Sequence, residues 1–200
     1  MNLQRLCAGL DVQPLLRVLT HRPDLWDHFT ARQEAPGSAH HDTRCIVALG
    51  PQELTVAAWF NDIDAVGWSP LSVVHDALAA LLRPLAQAIR LTGPEALGRV
   101  MIVELAPGGA VDPHADEGAY AEHYARFHIV LSSAPGNRFT CGGESVWMRP
   151  GEAWWFDHQL VHDVVNASAE PRVHVIVDAV SPLFPTNKPR YPVAIATSSR

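Results

Sequence analysis

Two hundred residues, 48% apolar and 18% charged, suit one compact domain with a substantial core rather than a disordered chain. A net charge of −6 offers no basic footprint for nucleic acid or an anionic membrane surface, and no apolar run is long enough to cross a bilayer. The three cysteines, Cys7, Cys45 and Cys141, are widely spaced, and the first residues lack the apolar stretch of a secretion signal, so a soluble protein of a reducing, cytoplasmic compartment is expected.

The first part of the chain reads as helical. Asp11 is placed to cap a short helix carrying Leu15, Leu16 and Leu19. Pro23 fits the first turn of a second helix carrying Leu25, Trp26 and Phe29. Residues 35–42 are polar, contain proline and glycine, and read as a loop, with strands expected at 45–49 and 54–60. The clearest helix spans 70–91, capped by Ser69, with Val73, Val74, Leu78, Leu81, Leu82, Leu85 and Ile89 at helical spacing. Pro84 predicts a kink there, or two abutting helices.

From Gly98 onward the texture changes to short strands, expected at 100–105, 110–113, 126–132, 138–141, 144–148, 152–156, 162–166 and 172–180. Pro107-Gly108-Gly109, Pro135-Gly136, Gly142-Gly143 and Pro150-Gly151 punctuate them as turns. The pattern suggests a mostly β fold, a jelly roll or small barrel with helices packed outside one sheet. Within a single domain, residues 1–97 would form a helical and mixed supporting region, 98–180 the β core, and 181–200 a tail across the surface.

Four residues carry the chemistry. His114 and Asp116 lie two apart, so on a strand both would point to one face. His162 follows on a later strand, and Arg172 stands ten positions beyond. Two histidines and a carboxylate can occupy one face of a ferrous ion, leaving other positions open, and an arginine nearby suits a dicarboxylic acid such as 2-oxoglutarate. Taken alone, His-x-Asp after a proline is more often just a polar loop. His158 is a rival ligand from the same segment as His162, which is preferred because it opens the next apolar strand. Alternation sets Arg172, His174, Ile176 and Asp178 on one strand face and three valines on the other. Arg126 and His128 likewise share a face opposite Phe127, Ile129 and Leu131. Such polar faces suit a cavity lining, while the plain alternative is solvent exposure. His21, His28, His40, His41 and His75 lie outside these motifs and read as surface or loop residues.

In order, Leu105-Ala106-Pro107-Gly108-Gly109, Pro113-His114, Arg126-Phe127-His128, Gly142-Gly143-Glu144, Pro150-Gly151-Glu152, Phe156-Asp157, His162-Asp163-Val164, Arg172 and Asp178 resemble the aspartyl/asparaginyl β-hydroxylase family of iron(II)- and 2-oxoglutarate-dependent oxygenases. The resemblance implies a double-stranded β-helix, a jelly-roll, cupin-like core. It implies His114 and His162 as metal ligands, Arg172 on the distal carboxylate of 2-oxoglutarate, and Arg126 and His128 near cosubstrate or substrate. Two departures stand out. The best-known animal members lack the carboxylate ligand that Asp116 would restore, and Val103 occupies a place where they carry a serine near the cosubstrate.

The expected activity is hydroxylation of a C–H bond in an Asp/Asn or other amino-acid-type substrate, free or within a peptide or protein. Fe(II), 2-oxoglutarate and O2 would be consumed or used, ascorbate is a candidate reductant, and succinate and CO2 would be coproducts. The alternatives are a cupin-like metalloenzyme that does not use 2-oxoglutarate, and a non-enzymatic ligand-binding barrel.

Overall fold

A computed structural model describes residues 1–51, 67–68 and 72–186. It is built on two antiparallel sheets. The strands are β1 (Leu3–Cys7), β2 (Thr43–Gly50), β3 (Gly67–Trp68), β4 (Leu97–Leu105), β5 (Ala110–His114), β6 (Ala125–Ser132), β7 (Asn137–Cys141), β8 (Glu144–Val146), β9 (Ala153–Phe156), β10 (His162–Asn166) and β11 (Arg172–Ala179). The major sheet runs β1-β9-β6-β11-β4-β2-β3, and the minor sheet β5-β10-β7-β8. This is the double-stranded β-helix that the resemblance implied.

The helices are α1 (Gln13–His21), α2 (Ala31–Glu34), α3 (His75–Ala88) and α4 (Ala119–His123). Asp11 accepts a hydrogen bond from the Gln13 amide just ahead of α1. Leu15 and Leu19 of α1, with Leu78, Leu81 and Leu85 of α3, form one apolar layer with the outward face of the major sheet. That face is made by Ile46, Val100, Ile102, Phe127, Ile129, Val173, Val175 and Val177. The helix-spaced leucines and the alternating strand residues are two periodicities written for the same interface.

The opposite face of the major sheet meets the minor sheet. Leu3, Leu105, Val130 and Phe156 pack there against Val111, Phe139, Cys141 and Val164. β11 is buried along its whole length, as expected for a central strand covered on both sides. Its alternation is therefore apolar towards the helices and polar towards the barrel interior. Arg172, His174 and Asp178 are buried on the inner side, together with His128 from neighbouring β6.

Several expectations needed revision. α3 runs through Pro84 as one helix. The carbonyl left without its usual partner belongs to Ala80 on the exposed side, where water can take it up. Pro23–His28 forms a 3-10 segment rather than an α-helix, and Phe29 lies beyond it in extended backbone, bridged to Cys45. β1 was not anticipated, because Gln4 and Arg5 interrupt its apolar pattern, yet it pairs antiparallel with β9. β8 stops at Val146 rather than 148. Ala119–His123, between the expected strands at 110–113 and 126–132, form α4. The strand expected at 54–60 and the cap and start of the long helix at 69–70 lie outside the described residues. Among the described residues no helix is long and apolar enough to cross a membrane.

Phe127 is completely buried in the layer shared by sheet and helices. Phe127→Ala should therefore destabilise the fold by about 3–5 kcal/mol in urea unfolding; a loss below about 1 kcal/mol would mean that this layer is not the principal core.

Candidate metal centre and anion pocket

Cross-strand register brings the two histidines together. β10 pairs with β5 so that His162 lies opposite His114, and their ring centroids are 4.3 Å apart. Each ring is fixed by a nearby carbonyl. His114 Nδ1 lies 2.7 Å from the Asp112 oxygen, and His162 Nδ1 lies 2.9 Å from the Leu160 oxygen. A carbonyl only accepts, so both Nδ1 atoms carry the proton and both Nε2 atoms keep a lone pair. Burial pushes the His162 pKa down to about 4, with the Asp116 charge opposing and His114 adding to the depression. The ring is thus neutral near pH 7, as a ligand must be.

Asp116 reaches this point differently from the strand-face expectation. β5 ends at His114, and Asp116 lies beyond it, where its backbone N–H donates to the His158 carbonyl at 2.9 Å. Its Oδ1 stands 3.8 Å from His114 Nε2. The candidate ligand atoms of His114, Asp116 and His162 all lie within 4.8 Å of one another.

The other carboxylate oxygen is held by an arginine. Arg126 Nη1 donates to Asp116 Oδ2 at 2.6 Å. Its Nε and Nη2 make a two-pronged contact with Asp178 at 2.8 and 3.0 Å, and Arg126 and Asp178 are register partners on β6 and β11. Burial would raise the Asp116 pKa, but the Arg126 charge, helped by His162, His158 and His114, holds it below the ordinary carboxylate value. Burial alone would lower the pKa of Arg126; its two carboxylate partners raise it instead.

Arg172 is treated in the opposite way. It is fully buried, and desolvation lowers its pKa to about 9, which still leaves it charged near pH 7. Among the described residues no carboxylate pairs with it. Its Nη2 donates to His174 Nδ1 at 3.1 Å. His128 stands beside this pair, its ring edge-on to His174, Phe139 and Phe156.

The residues singled out in the sequence therefore fall into two groups. His114, Asp116 and His162 converge on one point, with Arg126 tied to Asp116, whereas Arg172 and His128 line the inner wall. His158 does not join the converging set: its Nε2 lies 3.0 Å from the Ala121 carbonyl. Two contributors were missed. Asp178 anchors Arg126, which alternation hinted at by placing it on the polar face of β11. His40, read as a loop residue, packs edge-on to His114 with centroids 4.8 Å apart, and no local signal marks it.

Comparisons with known proteins bear on the family and the fold. Residues 75–182 match the family model described as aspartyl/asparaginyl beta-hydroxylase. The chain is 31% identical over 84 residues to an L-proline cis-4-hydroxylase of Rhizobium meliloti (strain 1021); the match covers 42% of this chain and only 30% of that relative. In fold it is similar to the viral collagen prolyl hydroxylase vCPH of Paramecium Bursaria Chlorella virus-1, in its 2OG complex, with a TM-score of 0.56 and 9% identity over 90% of this chain and 97% of that one. A 2OG-Fe(II) oxygenase family oxidoreductase from Burkholderia pseudomallei gives a TM-score of 0.51 and 15% identity, covering 82% of this chain and 81% of the other.

The Arg126 bridge generates a stability prediction. Arg126→Met leaves Asp116 and Asp178 as uncompensated carboxylates, and should cost about 3–5 kcal/mol in chemical unfolding of the metal-free protein at pH 7. A loss under about 1 kcal/mol would show that solvent, not Arg126, balances the two acids.

Proposed function

The chain belongs to the aspartyl/asparaginyl β-hydroxylase family, and on that premise we propose that it is an Fe(II)- and 2-oxoglutarate-dependent hydroxylase of an amino-acid-type substrate. One observation carries the reading. Three potential ligands converge within 4.8 Å at a barrel whose inner wall also holds a buried arginine with no carboxylate partner among the described residues. A metal triad alone would suit many reactions; the additional buried cation suits an acidic cosubstrate.

The donor set fits iron. Two neutral imidazole Nε2 atoms and one carboxylate oxygen make the two-histidine, one-carboxylate arrangement of non-haem iron oxygenases. Iron and 2-oxoglutarate together supply the oxidising power for C–H hydroxylation, with O2 consumed and succinate and CO2 as coproducts.

The protein's own part is positioning. The Asp112 and Leu160 carbonyls fix the tautomers of His114 and His162. Arg126 occupies Oδ2 of Asp116, so Oδ1 is the oxygen left to face the metal. Arg172 holds the distal carboxylate of the cosubstrate, its charge shared with no acid among the described residues. Phe139, Phe156, Val103 and Ile176, all buried, keep water from the interior and strengthen the electrostatic contacts within it. An amino-acid-type substrate is supported by the family description and by the proline named in the relative's activity.

The test needs no knowledge of the substrate. Anaerobic addition of Fe(II) and then 2-oxoglutarate should produce the visible charge-transfer band of a chelated complex. The band should vanish in His162→Ala and weaken in Arg172→Ala, and Asp116→Ala should lower iron affinity by roughly tenfold or more. Folded, iron-loaded protein that gives no band would exclude the 2-oxoglutarate reading and favour a cupin-like metalloenzyme.

A further inference from the structure

His174 is a second buried polar group beside Arg172 that the metal set does not use. The two residues are two apart on β11, so their side chains leave the strand on the same face. Arg172 Nη2 donates to His174 Nδ1 at 3.1 Å. A guanidinium cannot accept, so Nδ1 holds the lone pair and the proton resides on Nε2. His128 Nδ1 lies 3.4 Å from the same nitrogen. Burial, then the charges of Arg172 and His128, depress the His174 pKa well below the ordinary value, so the ring stays neutral in this one tautomer.

The other nitrogen has no use inside the protein. His174 Nε2 is buried and without a hydrogen-bond partner among the described residues. Its register partners are Val103 on β4 and Val130 on β6, whose side chains accept nothing. A buried N–H with no acceptor is costly and uncommon in folded proteins, and this one is fixed in direction by its neighbours. The local charge indicates what would accept. Arg172 and His174 together present one positive charge and only donors, while the nearby acids, Asp116 and Asp178, are already engaged by Arg126. A single carboxylate matches that pair.

We propose that His174 is a specificity-determining residue of the cosubstrate pocket: its Nδ1 steadies Arg172, and its Nε2–H donates to the carboxylate that Arg172 holds. In this arrangement the strand supplies both contacts to the anion, and Val103 opposite supplies none. The proposal rests on the 2-oxoglutarate reading above and adds to it a residue that the family resemblance did not single out.

The experiment measures Fe(II) affinity and 2-oxoglutarate affinity separately, under anaerobic conditions, in wild type and in the His174→Asn, His174→Gln and Arg172→Met variants. Asparagine keeps an acceptor near Nδ1 but lacks the far donor. It should weaken 2-oxoglutarate binding by roughly 10- to 100-fold, the effect of one hydrogen bond to a charged group, with iron affinity unchanged. Glutamine, whose amide nitrogen reaches the Nε2 position, should recover at least half of that loss on a logarithmic scale. Wild-type affinity in the asparagine variant, alongside lost binding in Arg172→Met, would overturn the role of His174 while leaving the cosubstrate reading intact. Absence of 2-oxoglutarate binding in iron-loaded wild type would overturn both. If the asparagine variant does not fold, His174→Ser decides: a loss of 2-oxoglutarate affinity of roughly 10- to 100-fold with iron affinity unchanged supports the contact, and wild-type affinity overturns it.

Discussion

Arg126, held between Asp116 and Asp178, is the interaction on which the rest of the interior depends. Asp116 lies past the end of β5, where no strand ladder fixes it, and yet its carboxylate must face His114 and His162. The arginine provides that restraint. It is itself oriented by a two-pronged contact to Asp178 across the β6–β11 pair. A slip of one residue in that register would turn Arg126 out towards the helices and Phe127 into the barrel, so the apolar layer outside and the ion pairs inside enforce the same alignment.

The two buried arginines show how partners, rather than burial, decide what a charge does. Desolvation acts against both. Arg126 is compensated by two acids, and its charge is stabilised; Arg172 has no such acid among the described residues, and its pKa falls to about 9. The interior is thereby divided. One part is a charge-balanced clamp around the candidate metal ligands, with its geometry set by short ion pairs. The other is an electropositive wall that remains available to an anion. Arg126, for which the resemblance implied a place near the cosubstrate or substrate, donates to Asp116, the carboxylate that the animal members lack.

Histidine chemistry follows the same logic on a smaller scale. At His114 and His162 a backbone carbonyl takes the Nδ1 proton, leaving Nε2 as a lone pair suited to a cation. At His174 an arginine donates to Nδ1, leaving Nε2 as a donor suited to an anion. One side chain type can suit a cation or an anion because the neighbour of one nitrogen dictates the state of the other.

The sequence alone carried the faces. Alternation through residues 126–131 and 172–178 separated a helix-facing apolar set from a polar inner set, because strand side chains alternate whatever the strand pairs with. The punctuation by glycine and proline located most strands, and the ordered His114, His162 and Arg172 pattern placed the chain near its family. Partners were another matter. That His162 and not His158 meets His114 depends on the β5–β10 register. That Asp116 arrives from a loop depends on where β5 ends, and that Arg126 holds it depends on β6 pairing with β11. That no acid meets Arg172 and no acceptor meets His174 Nε2 among the described residues is likewise a property of how the strands pack. Side-chain period is a local property of the backbone, while contact, charge balance and tautomer are set by residues far apart in the chain, such as Arg126 and Asp178 or His128 and His174, and only the tertiary structure brings those together.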